Sequence, residues 1–331
     1  MSLIGKIFKT CLVSASLLAG MHASAQVAAQ PAYPNKAIKL IVPFGPGGVT
    51  DLTGRTFGKY LAEQLKEPVI VENKAGAGAT IGANFVAKSA PDGYTMLLGT
   101  NVTHAINPQM MTAVPYDPLK DFIPVAMFGL NGNVLIVNAS LPINNFAEFI
   151  QYIKSKKGDV NYASGSVGSS AHLAAELLKL EVKGLNYMHV PYGGPSEAMS
   201  GLIGGHVDFM FSNIGGAVTQ IKSGKVKAIA VTTLKRVEQL PDVPSIAELG
   251  VPGFEVVGWL AAFVPKGTPD YIVKKLNEVI NQAQNNPGLR QTLDTASVIP
   301  VISTPEQTAK FVQDEYIKWG RVIREANIPK I

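Results

Sequence analysis

At 331 residues, 47% hydrophobic and only 16% charged, the chain has the make-up of a folded globular protein, which excludes a disordered or low-complexity segment of any size. Its 29 basic and 24 acidic residues are scattered, and the absence of a basic stripe with interleaved aromatics argues against a nucleic-acid partner. Cys11 is the only cysteine, so no disulfide framework is available.

In chain order, residues 1–25 come first. Lys6 and Lys9 precede the apolar segment Cys11 to Ala19 and then Ala23-Ser24-Ala25, the pattern of a secretory signal peptide cleaved after Ala25. The apolar segment is shorter than the ~20 residues that span a bilayer. Cleavage leaves 27 basic against 24 acidic residues and no cysteine, and the mature chain is expected to be periplasmic and soluble.

Short Val- and Ile-rich runs bounded by Gly or Pro then read as buried strands: 36–44, 68–73, 94–100, 134–138, 160–164, 187–192, 207–213 and 226–233. Helical patterns lie between and after them, at 51–65, 80–89, 145–156, 169–179, 196–204, 269–285 and 304–327. Alternation of the two predicts an α/β fold with largely parallel sheets.

Two stretches echo each other. "IVPFGPGGVTDLTGRTF" from Ile41 and "VNYASGSVGSSAHLAAELL" from Val160 are both strand, Gly-rich loop, helix. Equivalent loops of two similar lobes would produce that echo. The expected lobes are 33–131 plus 255–331 and 132–254, with crossings near "FGLNGNVL" and "FEVVGWLAAF" and a cleft between them.

Neither loop is a nucleotide motif. The first lacks the Gly-Lys-Ser/Thr ending of a P-loop, and Thr50 stands where a dinucleotide loop would need its third glycine. "NKAGAGATIGA" has relaxed dinucleotide spacing, but the next strand ends in Thr100 and not in an acidic residue. A helix N-terminus behind glycines does offer unpaired N–H groups and about half a positive charge to any anion, carboxylate included. Equally, Asp51 and the Ser169-Ser170 pair could simply cap their helices.

Catalysis finds no support. There is no Gly-x-Ser-x-Gly elbow and no His-Glu-x-x-His; His172 and Glu176 lie four apart on one helix, as a structural pair would. His189, His206 and Asp208 sit in or beside apolar strands, where hydrogen-bonded structural roles are the simpler reading. No metal or cofactor is expected.

The segments "YPNKAIKLIVPFGPGGVTD", "VENKAGAGATIGANFVAKSAPDGYTMLLGT", "YASGSVGSSAHLAAELL", "HVPYGG", "GGHVDFMF" and "LPDVPSIAELGVPGFE" resemble, in this order, the Bug or TctC-type extracytoplasmic solute receptors. These are periplasmic binding proteins of tripartite tricarboxylate transporters. The resemblance implies a two-lobed, type II-like flytrap fold closing on a small carboxylate, and delivery of that ligand to membrane-embedded transporter subunits. By motif it places Gly45, Pro46, Gly47, Gly48 and Asp51 at one carboxylate, with Thr100 and Asn101 adding side-chain hydrogen bonds. Ser164, Ser166, Gly168, Ser169 and Ser170 would hold the other, with His172 lining the loop and Tyr192, Ser212 and Asn213 at strand ends facing the cleft. Where family members often carry an acidic residue in the stretch matching "FSNIGG", this chain has Ser212, which argues against recognition of a ligand amine there. The expectation is a monomeric, non-catalytic receptor for a small organic acid, above all a dicarboxylate. A ligand-dependent sensor is the alternative, and behind it a secreted enzyme acting on organic acids.

Overall fold

The structure, a computed structural model, describes residues 32–330; the expected signal peptide, 1–25, lies outside the described residues. The first unit of the fold is β1 (Ile38–Val42), buried at four of its five positions, followed by a Gly- and Pro-bearing loop and α1 (Val49–Leu65). Gly54 and Gly58 lie one turn apart on the inner face of α1. A Cβ on either would stand 2.8 Å from Val42 Cγ2 or 2.9 Å from Val71 Cγ2, so the two glycines let the helix lie close on the sheet. That closeness fixes where the N-terminus of α1 points.

The chain continues through β2 (Val69–Asn73), α2 (Thr80–Ala87), β3 (Thr95–Thr100) and a π turn, Val102–Ile106, that runs into α3 (Asn107–Met110). Then come the long β4 (Phe122–Asn138), α4 (Phe146–Ser155), β5 (Asn161–Ser164), α5 (Ser170–Glu181) and β6 (Met188–Pro191). After these follow α6 (Pro195–Ile203), β7 (Phe209–Asn213), α7 (Ile214–Lys222), β8 (Val226–Val231) and β9 (Val257–Pro265). Three helices close the chain: α8 (Asp270–Ala283), α9 (Pro287–Thr295) and α10 (Pro305–Glu325).

The strands follow the order β2-β1-β3-β9-β4-β7-β5-β6, with β8 also on β4. β1 is parallel to β2 and β3, and β5 is parallel to β6 and β7. Every pairing of β4 and β9 is antiparallel, so the sheets are mixed where the sequence predicted largely parallel ones. The cause is topological: the chain traverses the molecule on β4 and returns on β9, and strands running opposite ways can pair only antiparallel. β4 serves both sheets. Residues from Phe122 to Gly132 pair with β9, and from Asn133 onward the strand lies between β7 and β8 and pairs with both. The fold is a two-lobed α/β architecture, and the strand ends that face its middle are those of β1, β3, β5 and β7.

The sequence pattern did not mark the first half of β4, the π turn with α3, the helices α7 and α9, or the strand β9, whose start it read only as a crossing segment. The turn at 102–106 carries one of the best-packed side chains in the molecule. His104 is fully buried, stacks on Phe263 at 3.9 Å between centroids and meets the edge of Phe122 at 4.8 Å. Its Nδ1 lies 2.8 Å from Thr103 Oγ1, and burial pushes its pKa down to about 3. This neutral ring anchors the wall formed by Thr100–Val102.

Candidate functional site

The two echoing loops share a hydrogen-bonding device. Each contains a glycine in the left-handed region, Gly47 at φ 90° and Gly168 at φ 75°, which a Cβ-bearing residue rarely adopts. Each glycine N–H donates to the side chain four residues on, inside the first turn of the following helix: Gly47 to Asp51 Oδ2 at 3.0 Å, Gly168 to His172 Nδ1 at 2.9 Å. A third loop, before α6, repeats it with Gly193 N–H on Glu197 Oε2 at 3.0 Å. The first turn of each helix thereby ties down its own entry loop.

Asp51 is therefore a positioning residue. Its carboxylate is buried, and both oxygens are engaged: Oδ2 also accepts from Arg55 Nε at 3.1 Å, and Oδ1 accepts from Asn73 Nδ2 at 2.9 Å and pairs with Arg55 Nη2 at 3.0 Å. Burial alone would raise its pKa, but the bonds from Arg55, Gly47 and Asn73 outweigh it and hold the group below the usual carboxylate range. The N–H of Gly47 is likewise bonded to Asp51.

Beyond the loops a cavity of about 310 Å³ opens. Its walls include Val49 and Thr50 at the start of α1, Asn101 and Val102 at the start of the π turn, Ser169 and Ser170 at the start of α5, and Asn213 at the cap of α7. Helical segments from different parts of the chain thus aim their N-termini at one space, each end carrying about half a positive charge. The remaining polar lining is Thr100, Asn131 and Asn133, and no Asp, Glu, Lys, Arg or His is among the wall residues. Thr100 Oγ1 is buried with no hydrogen-bond partner among the described residues. A buried hydroxyl left unpaired costs roughly 1–3 kcal/mol.

Of the residues expected at the site, Thr100, Asn101, Gly168, Ser169, Ser170 and Asn213 line this cavity. Ser166 and Ser212 line a larger adjoining one. Gly45, Pro46, Gly47 and Gly48 are exposed on the loop, outside the walls of both, while their neighbours Phe44, Val49 and Thr50 are wall residues. Tyr192 lines neither cavity; its hydroxyl packs against Gly201 of α6. Wall residues that the sequence reading did not mark are Asn131 and Asn133 on β4 and Gly258, Trp259 and Leu260 on β9. One signal was present: Asn131 and Asn133 alternate in an otherwise apolar strand, which puts both on one face.

Ser164 and His189 form a contact that resembles a nucleophile and its base, with Oγ 2.6 Å from Nε2. The hydroxyl, however, donates to the Ser166 carbonyl at 2.8 Å, so the arrangement satisfying every contact has His189 Nε2–H donating to Ser164. Ser164 is wholly buried beneath the loop, and His189 stacks on His172 at 4.1 Å. Burial lowers the pKa of both rings to about 4. Among the described residues no group of His, Cys, Asp or Glu is arranged to hold a metal ion, and no helix is long and apolar enough to cross a membrane.

The buried histidines make stability pH-dependent in a defined direction. Their folded pKa lies below the ordinary value of 6.5, so the unfolded chain takes up protons first as pH falls. The stabilisation is present above pH 6.5 and is lost progressively toward pH 4, on the order of 3 kcal/mol for His172. His172→Asn keeps an acceptor near the Nδ1 position but does not titrate. Urea unfolding at pH 7, 5.5 and 4.5 is expected to show a shallower loss for that variant; equal slopes for the two proteins would sink the assignment.

Comparison with known proteins adds the following. The family model described as tripartite tricarboxylate transporter family receptor matches residues 54–328. Protein BugT of Bordetella pertussis is 38% identical over 294 residues, covering 88% of this chain and 90% of that protein. A Rhodopseudomonas palustris protein solved with adipate superposes with a TM-score of 0.74 at 32% identity, over 91% of this chain and all of the other. MatC from the same organism, solved with bound malate, gives a TM-score of 0.69 at 34% identity, over 88% of this chain and 100% of MatC.

Proposed function

From the premise that the chain belongs to the tripartite tricarboxylate transporter receptor family, we propose that it captures a small organic acid, above all a dicarboxylate, in the 310 Å³ cavity and delivers it to membrane-embedded transporter subunits. The observation that carries the reading is the convergence of helix N-termini on a cavity whose side chains are all neutral. Such a site neutralises a carboxylate by backbone N–H groups and dipoles, without a fixed cation. The malate and adipate bound to the two Rhodopseudomonas proteins are acids of this class.

We assign the lobes as meeting at 131/132, within the strand β4 that serves both sheets, and at 254/255, just before β9. Donors from α1 and β3 then stand on one lobe, and those from α5 and α7 on the other. A ligand bonded to both favours the closed form by its differential affinity, and the closed surface is what the transporter subunits would read. The chain is a receptor on this reading and not an enzyme: Ser164, which contacts His189, is buried with its hydroxyl donating to the Ser166 carbonyl, an orientation against nucleophilic use. We further assign it to the periplasm as a monomer, exported by a signal peptide cleaved after Ala25.

Thermal melts against succinate, malate, adipate, citrate, benzoate and phosphate test the assignment. A ligand at about 100 times its Kd adds roughly 2.7 kcal/mol of stability, enough to move Tm by some degrees. A shift with a dicarboxylate and none with benzoate or phosphate is the expected result; stabilisation by phosphate alone would overturn it. Because no wall residue titrates, affinity should be flat with pH above ~6, where the ligand's own carboxyl groups are ionised. Calorimetry at pH 6, 7 and 8 reads this directly, and a steep change would mean that an ionisable side chain enters the site.

A further inference from the structure

Beside the anion cavity lies a second, larger one of about 810 Å³. The two share Val49, Asn133, Ser169, Ser170 and Asn213 as walls, so they are compartments of one space. The larger compartment runs between α6 and α7 across the end of β7. Asn213, Gly216 and Gln220 line it along one face of α7, at spacings of three and four residues. At ~1.5 Å of rise per residue, Gln220 stands about 10 Å beyond the N-terminal cap of that helix. Opposite, α6 presents the apolar side chains of Met199 and Ile203.

Two polar features mark the far end. Gln220 Oε1 is buried and has no hydrogen-bond partner among the described residues. Lys225, just past α7, lines the same compartment and is exposed there, with no acidic partner among the described residues. The near end attracts an anion through helix N-termini, the middle is apolar on one side, and the far end offers a cation. That order matches one ligand shape.

Building on the receptor reading, we propose that the site also takes elongated dicarboxylates, with one carboxylate at the N-termini of α5 and α7, the apolar body beside Met199 and Ile203, and the second carboxylate at Lys225. Short acids fill only the smaller compartment. Lys225 then selects for length, because a chain too short to reach it gains nothing from its charge.

Calorimetric titration of the full protein with succinate, adipate, sebacate and octanoate tests this, alongside Ser200→Trp and Lys225→Met. Ser200 is an exposed wall residue of the larger compartment, so a Trp there fills the space without entering the core. The expected result is that Ser200→Trp weakens sebacate by ~10-fold or more, as overpacking does, and leaves succinate unchanged. Lys225→Met should weaken sebacate by up to ~5-fold, the range of an exposed ion pair, again without effect on succinate. Sebacate that fails to bind while succinate or adipate binds would overturn the proposal and leave the receptor reading intact. Equal weakening of succinate by Ser200→Trp would do the same, since the compartments would then not be separate. Octanoate binding as tightly as sebacate would remove the role of Lys225. If no acid binds, the dicarboxylate receptor reading fails first and this proposal with it.

Discussion

Ser170→Asp is expected to abolish capture of organic acids while leaving the fold as stable as before or slightly more so. Ser170 is the first residue of α5 and lines the cavity. An acidic side chain in the first turn of a helix interacts favourably with the helix dipole by about 0.3–1 kcal/mol, which sets the sign of the stability change. The same carboxylate occupies the N–H groups that the ligand would use and repels the incoming anion. Two like charges at ~4 Å with an effective dielectric constant near 20 cost about 4 kcal/mol, so affinity should fall by at least ~100-fold even after generous relaxation. Ser170→Asn, neutral and nearly isosteric with Asp, separates charge from bulk and should lose no more than a few-fold. Calorimetric Kd values with adipate, set beside urea melts without ligand, make the comparison. A folded Ser170→Asp protein that binds adipate at native strength would discard the convergent N-termini as the site.

The second large effect is on stability. Glu315 of α10 is 3% exposed, and its Oε2 accepts from two indoles, Trp259 Nε1 at 3.2 Å and Trp319 Nε1 at 2.9 Å. Lys318 pairs with the other oxygen. Trp259 is at once a residue of β9 and a wall of the cavity, so this carboxylate holds the floor of the site in place. Glu315→Leu strands two buried N–H donors and breaks a largely buried ion pair, a change worth about 3–5 kcal/mol. Glu315→Gln retains an acceptor and should cost clearly less. Denaturant unfolding ranks the three proteins, and a Leu variant as stable as the native one would show that the indoles find other partners. With the ring of Trp259 loosened, acid affinity is expected to fall in the Leu variant as well.

Particular residues show how far reasoning from the sequence reached. The glycines at 47 and 168 and the residues four positions after them mark equivalent strand-loop-helix units, because a left-handed turn demands glycine and a first helical turn rewards a polar side chain. What those polar groups bond is another matter. The family resemblance implies a place for Asp51 at the ligand, where the residues by themselves allow a simple helix cap; in the fold Arg55 and Asn73 converge on it from α1 and β2 and take its lone pairs. Ser164 met a similar fate. It sits at the right place in the motif, but the strand carries it under the loop, where Ser166 and His189 engage its hydroxyl. Asn131 and Asn133 went unmarked because two amides in an apolar strand have no motif, and Lys225 because nothing local distinguishes a lysine after a helix.

By itself the sequence determined the α/β alternation, the paired glycine loops and the absence of a nucleotide or metal motif, all of which rest on local periodicity and short-range spacing, and its ordered motif segments carried the resemblance to the receptor family. Tertiary structure alone decided which N–H groups remain free, that β9 pairs antiparallel with the first half of β4 and with β3 in one sheet, and that the starts of α1, α5, α7 and the π turn share one neutral cavity. The physical reason is that a helix dipole and a hydrogen-bond donor are properties of position. Residues far apart in the chain create an anion site only when the fold points their unpaired groups at the same point in space.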